Sequence, residues 1–188
     1  NQFCSYCVIP HVRGPLRSRA ADDVIAEAER LAVRGYKEIV LTGIHLASYG
    51  READADTDAL YDLLVRLQEV DGVARIRLGS LEPTLFLGSF IDRAADLPKL
   101  CPHFHISMQS GSDSVLRAMN RCYTAEEFLN ALRFVRTSIP DAAVTTDIIA
   151  GFPGETEENH RETLEIVRRA AFSKTHVFPY SPRAGTPA

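Results

Sequence analysis

Cysteine thiolates two residues apart form a claw for a soft metal, and Cys4-Ser-Tyr-Cys7 supplies one at the very start of this chain. An aromatic residue, Tyr6, stands between the two cysteines in the sequence. Val-Ile-Pro10 follows at once, and then a segment rich in arginine: Arg13, Arg17 and Arg19. A cysteine in the position just before Asn1 would complete C-x3-C-x2-C. That spacing leaves one iron of a 4Fe-4S cluster without a protein ligand, and an open iron can bind S-adenosylmethionine. A zinc claw is the competing reading. It needs a second C-x2-C or a Cys/His pair to close a tetrahedron, and the chain has neither. Cys101 and Cys122 are isolated and read as ordinary semi-buried thiols.

Length and charge narrow the classes. The chain has 188 residues, 45 % of them hydrophobic, which suffices for one core in one domain. The net charge of −4 argues against a generally basic nucleic-acid binder but leaves room for a local basic patch. There is no signal peptide and no apolar run long enough to span a bilayer, so a cytoplasmic location without membrane is expected.

The elements that position the cysteines are legible as an alternation. Strands are expected over Glu38–Thr42, Arg75–Leu78, His103–Ser107, Ala143–Ile149 and Thr175–Pro179. Helices are expected from Asp22, with Gly35 just past the C-cap; along Leu60, Leu63, Leu64 and Leu67, capped by Thr57 or Asp58; and around Leu85–Ala95, Ser114–Met119, Ala125–Thr137 and Thr156–Arg169. His160 falls on the apolar stripe of the last helix with Leu164 and Val167. An acidic linker is expected from Tyr49 to Thr57. Five strands separated by helices imply a parallel α/β sheet. With one more strand upstream of the cysteines, six βα units make a partial (β/α)6 barrel of the TIM-like kind. In such barrels chemistry sits at the C-terminal ends of the strands. Thr42-Gly43-Ile-His45, Gly79-Ser80-Leu-Glu82-Pro83, Gln109-Ser-Gly-Ser112, Gly151-Phe-Pro-Gly-Glu155 and Tyr180-Ser-Pro-Arg183 all fall there. Any one of them is an ordinary turn sequence; together they favour a small-molecule site.

These motifs, with Met119-Asn-Arg121, Asp147-Ile-Ile-Ala-Gly-Phe-Pro-Gly-Glu155 and Phe178-Pro-Tyr-Ser-Pro-Arg-Ala-Gly-Thr186, occur in an order that resembles the radical SAM methylthiotransferases over essentially the whole chain. Thr42-Gly-Ile-His-Leu46 and Ser80-Leu-Glu-Pro83 look most like the branch acting on threonylcarbamoyl-adenosine in tRNA. Sister branches act on isopentenyl-adenosine in tRNA and on a ribosomal protein. The resemblance implies a methylthio group added at carbon 2 of the modified adenosine next to the anticodon, a radical SAM core spanning residues 1–188 and truncated at both ends, an N-terminal domain with a second 4Fe-4S cluster, and a C-terminal TRAM-like RNA-binding domain. Both flanking domains are absent from the chain, and the core alone is expected to be inactive.

By the same resemblance Cys4 and Cys7 ligate the cluster. Tyr6, Thr42, Gly43, Ser80, Glu82, Gln109 and Gly151 surround S-adenosylmethionine. Arg13, Arg17, Arg19, Arg121 and Arg183 are candidates for substrate carboxylate or phosphate. Expected partners are the tRNA anticodon loop and an electron donor such as flavodoxin or ferredoxin; the protein is expected to be a monomer. A metal-stabilised binding module without redox chemistry is the rival from another class.

Overall fold

In the computed structural model, residues 3–52 and 58–188 are described. They form helices α1 (Ile9–Arg13), α2 (Ala21–Val33), α3 (Ala59–Gln68), α4 (Phe90–Ala94), α5 (Asp113–Ala118), α6 (Ala125–Ser138) and α7 (Glu157–Ala170). The strands are β1 (Glu38–Leu41), β2 (Arg75–Leu78), β3 (Ser80–Leu81), β4 (His103–Ile106), β5 (Ala143–Ala150) and β6 (Lys174–Pro179). Every pairing is parallel: β1 with β2, then β3 with β4, β4 with β5 and β5 with β6.

Five expected strands become six segments because Gly79 interrupts the second. Its N–H bonds to Leu41 O at 2.8 Å, and a Cβ there would stand 3.1 Å from the same oxygen. The strands form a two-stranded sheet, β1–β2, and a four-stranded one, β3–β4–β5–β6, each in chain order. That is barrel-type winding, without the reversal of strand order that marks a doubly wound sheet. The fold is α/β with a partial barrel.

One face of the strands feeds an apolar core. Phe86, Phe104 and Phe128 are fully buried, and Phe86 meets Phe104 edge-on at 5.7 Å. Each fully buried side chain of this size contributes roughly 1.5–3 kcal/mol. The other face is polar. Glu38 holds Arg75 and Arg77 at 2.7 and 2.9 Å, and His105 meets Asp147 at 3.2 Å.

Local signals set the helix ends. Thr124 and Thr156 open α6 and α7 with capping boxes, each accepting from the backbone three residues on. Gly35 (φ 92°) follows α2, with Gly35 N bonded to Ala32 O and Tyr36 N to Leu31 O, as a glycine-terminated helix requires. Three expectations are corrected. The helix expected over 85–95 is a 3-10 turn, Pro83–Leu87, followed by the short α4, because Gly88 and Ser89 intervene. Asp58 stands at the start of α3 but does not cap it; its carboxylate goes to Arg93 at 2.7 Å. The buried face of α7 is Thr163, Ile166 and Ala170; of the expected stripe, Val167 packs half-buried against the core, His160 is half-buried at the edge and Leu164 is exposed. Thr57, and most of the linker expected over 49–57, lie outside the described residues. Among the described residues no helix is long and apolar enough to cross a membrane.

Candidate functional site

Cys4 and Cys7 sit in one tight turn, closed by a 3.0 Å bond from Cys7 N–H to Cys4 O. This turn is pinned to the end of α5. Ser5 N–H donates to Met119 O at 3.0 Å, Ser5 Oγ to Ala118 O at 2.7 Å, and Asn120 Nδ2 to Phe3 O at 2.7 Å. Asn120 occupies the left-handed region (φ 58°), a conformation Asn tolerates better than most residues. Met119-Asn-Arg121 is therefore the anchor of the cysteine turn. Just past that turn the short helix α1, begun by Pro10 in its first turn, leads to the arginine segment.

Cys4 is 9 % exposed and Cys7 half-buried. Both line a cavity of about 840 Å³ at the C-terminal ends of β1, β3 and β4. Thr42, Gly43, Ser80, Glu82, Gln109 and Arg121 share its wall, with Tyr6 beside them. Gln109 reaches it from a left-handed backbone (φ 64°). Its N–H and C=O are both committed to β5, to Asp147 O and from Ile149 N at 2.9 Å each. Neighbouring Ser110 turns away from the rim and bonds Thr163 of α7.

A close ion pair is buried in the cavity wall. Arg121 Nη2 donates to Glu82 Oε2 at 2.5 Å, Nη1 to Cys4 Sγ at 3.2 Å and Nε to Tyr123 Oη at 3.1 Å. The Arg121 and Glu82 side chains are only 4 % and 11 % exposed. Tyr123 in turn donates to Ser107 O and Met108 O, and burial pushes its phenol well above the usual tyrosine range. Tyr6 is also pushed up, by burial first, with the Arg121 charge opposing. Its ring meets Phe152 edge-on at 6.3 Å, and Phe152 meets Tyr180 at 5.5 Å. His45 Nδ1 lies 2.5 Å from Ser48 Oγ; its Nε2 is buried and has no protein partner among the described residues. Burial holds that imidazole below the usual histidine range.

The structure does not gather every expected residue. Arg13, Arg17 and Arg19 are exposed on the cavity's rim, with Arg19 also 3.5 Å from Glu27. Arg121 was grouped with them, but it points inward to Glu82 and Cys4. Gly151 (φ 74°) donates its N–H to the Glu155 carboxylate at 2.5 Å and is not among the residues lining the cavity; Arg183, exposed beyond β6, is not either. Cys101 is buried and Cys122 exposed, so neither is semi-buried. Sequence reasoning missed Tyr123 and Asn120 as positioning groups and the pairing of Glu82 with Arg121, which stand 39 residues apart.

The donor set fits part of an iron–sulfur cluster. Two thiols of one turn line the same cavity, and a guanidinium N–H already meets one sulfur, a contact that suits a thiolate. Among the described residues no group of three or more His, Cys, Asp or Glu could hold a metal ion by itself.

A partial parallel barrel with a cysteine turn at the C-terminal ends of its strands defines a class of enzyme core. The family model of the Radical SAM superfamily matches residues 1–167, and the chain belongs to that superfamily. Across the whole chain it is 46 % identical over 188 residues to the tRNA-2-methylthio-N(6)-dimethylallyladenosine synthase of Thermoanaerobacter sp. (strain X514), and 42 % identical over 193 residues to that of Corynebacterium glutamicum (strain R). It spans 40 % and 37 % of those proteins' lengths. Among solved structures it resembles SuiB of Streptococcus suis bound to S-adenosylmethionine (TM-score 0.66, 13 % identity, 98 % of this chain and 39 % of that one). It also resembles coproporphyrinogen III oxidase from Escherichia coli (TM-score 0.63, 19 % identity, 95 % and 41 %). These two likenesses concern the fold alone.

Proposed function

We propose that this chain is the radical SAM core of a tRNA methylthiotransferase, which adds a methylthio group to carbon 2 of an N6-modified adenosine beside the anticodon. The observation that carries the reading is the 46 % identity, over the full chain, to a protein named for that reaction. A 4Fe-4S cluster with S-adenosylmethionine, when bound, supplies a 5′-deoxyadenosyl radical able to take hydrogen from an unactivated C–H. In this reading Cys4 and Cys7 hold the cluster, with a third thiolate from the position before Asn1. Thr42, Gly43, Ser80, Glu82 and Gln109 wall the cofactor's cavity. Arg13, Arg17 and Arg19 offer guanidinium groups at its mouth to a carboxylate or a phosphate. An unstacked anticodon-loop base suits entry to such a cavity. An electron donor such as flavodoxin or ferredoxin, a monomeric state and a cytoplasmic location complete the proposal.

For the substituent on N6 we infer threonylcarbamoyl, on the resemblance of Thr42-Gly-Ile-His-Leu46 and Ser80-Leu-Glu-Pro83 to that branch. A second reading is the dimethylallyl (isopentenyl) form, which the names of the relatives favour. Mass spectrometry of tRNA nucleosides from cells lacking the gene tests both. Loss of methylthio-threonylcarbamoyladenosine, with its precursor accumulating, supports the first. Loss of the dimethylallyl counterpart moves the protein to the second. Persistence of both overturns the tRNA assignment.

A further inference from the structure

Arg121 is a forked side chain with its branches on different partners. One nitrogen meets the Cys4 sulfur at 3.2 Å and another the Glu82 carboxylate at 2.5 Å. The fork is itself held. Nε bonds Tyr123 Oη, the guanidinium lies 4.9 Å from the Tyr123 ring centroid, and Tyr123 is fixed by two backbone carbonyls. Its backbone neighbours are held too: Arg121 N–H bonds Leu116 O at 2.9 Å, and Asn120 and Met119 carry the cysteine turn. A buried, charged donor aimed at one thiol of a metal claw, rather than at solvent, calls for a role at that sulfur.

We propose that Arg121 is a positioning residue that holds the Cys4 sulfur in its ligating place and, through its N–H bond to that sulfur, raises the reduction potential of the bound cluster. Hydrogen bonds to ligating sulfurs are one of the levers that set such potentials, because they stabilise the more electron-rich state. Arg121 adds a full positive charge at the same atom. Glu82 balances that charge, and so fixes which way the fork points. This inference rests on the iron–sulfur reading given above.

The test uses the full-length protein with the cysteines of the expected N-terminal cluster replaced by alanine, reconstituted with iron and sulfide, and its potential is measured by electron paramagnetic resonance. Arg121→Lys keeps a cation for Glu82 but has no second branch to reach Cys4. It should melt near the wild type. At the wild-type midpoint its reduced-to-oxidised ratio should fall about tenfold, a shift of ~59 mV to more negative potential for a one-electron couple. Arg121→Met/Glu82→Gln, which removes both charges, should shift at least as far relative to Glu82→Gln alone. Folded variants that no longer take up iron would support the positioning half. A cluster loaded in the variants with an unchanged potential overturns the proposal. A folded wild-type protein that takes up no cluster overturns the iron–sulfur reading and this inference with it.

Discussion

Thr163 of α7 accepts the backbone N–H of Gly111 at 3.0 Å, and its Cα crowds the place where a Gly111 side chain would begin. A Cβ built on Gly111 would lie 2.7 Å from Thr163 Cα and 2.9 Å from Ile166 Cβ. The loop that carries Gln109 therefore touches helix backbone, and only glycine allows it. Gly111→Ala should cost about 1–3 kcal/mol, as overpacking a rigid contact does. Urea unfolding of the two proteins measures it. A change within ~0.5 kcal/mol would mean that α7 gives way easily.

Breaking the Arg121–Glu82 pair from one side should be worse than removing both charges. Arg121→Met alone leaves the Glu82 carboxylate buried without its cation, which typically costs about 3–5 kcal/mol. Arg121→Met/Glu82→Gln should recover a large part of that loss. A double-mutant cycle by chemical denaturation reads it, and strictly additive effects would show that the two side chains do not depend on each other.

The alternation of strands and helices was legible because apolar periodicity survives in each element, and it led directly to a parallel sheet in chain order. Cys4 and Cys7 were legible because ligand spacing is local. What was not legible depends on contacts far apart in sequence. Gly79 splits a strand because Leu41 O lies against it, and Arg121 reads as one more surface cation until its 39-residue-distant partner is placed. The face of α7 was legible only in part, at Val167, for a related reason. Its buried polar residue, Thr163, is paired with a loop more than fifty residues earlier, and hydropathy alone sends such a residue to the surface.

The two threonine caps differ in what they support, although both have the same local geometry. Thr124 and Thr156 each satisfy the third N–H of their helix, so either Thr→Ala change should cost about 0.5–2 kcal/mol. Asn159, the partner of Thr156, also donates to Ser112 and Ser114 Oγ at 3.1 and 3.0 Å. Thr156→Ala should therefore loosen the loop after β4 as well. Hydrogen exchange at residues 110–112 should rise more in Thr156→Ala than in Thr124→Ala, whose helix start meets this loop only further on, through Ala125 N–H to Asp113 Oδ1 at 2.8 Å.

His45 should make the fold sensitive to mild acid. Burial holds its imidazole below the value of 6.5 that it regains on unfolding, and Nε2 has no protein acceptor among the described residues to stabilise a charge. Above pH 6.5 both states hold it neutral, so it contributes no pH dependence there. Below that value the unfolded chain takes up the proton first, so stability falls with pH until the lowered folded-state value is passed. His103, also lowered by burial, acts in the same direction. Going from roughly pH 7.5 to pH 5.5, the unfolding free energy should drop, and it should drop less in His45→Asn. Urea titrations of both proteins at the two pH values measure this. An equal drop in wild type and variant would place the sensitivity elsewhere, with His103→Asn the next protein to measure.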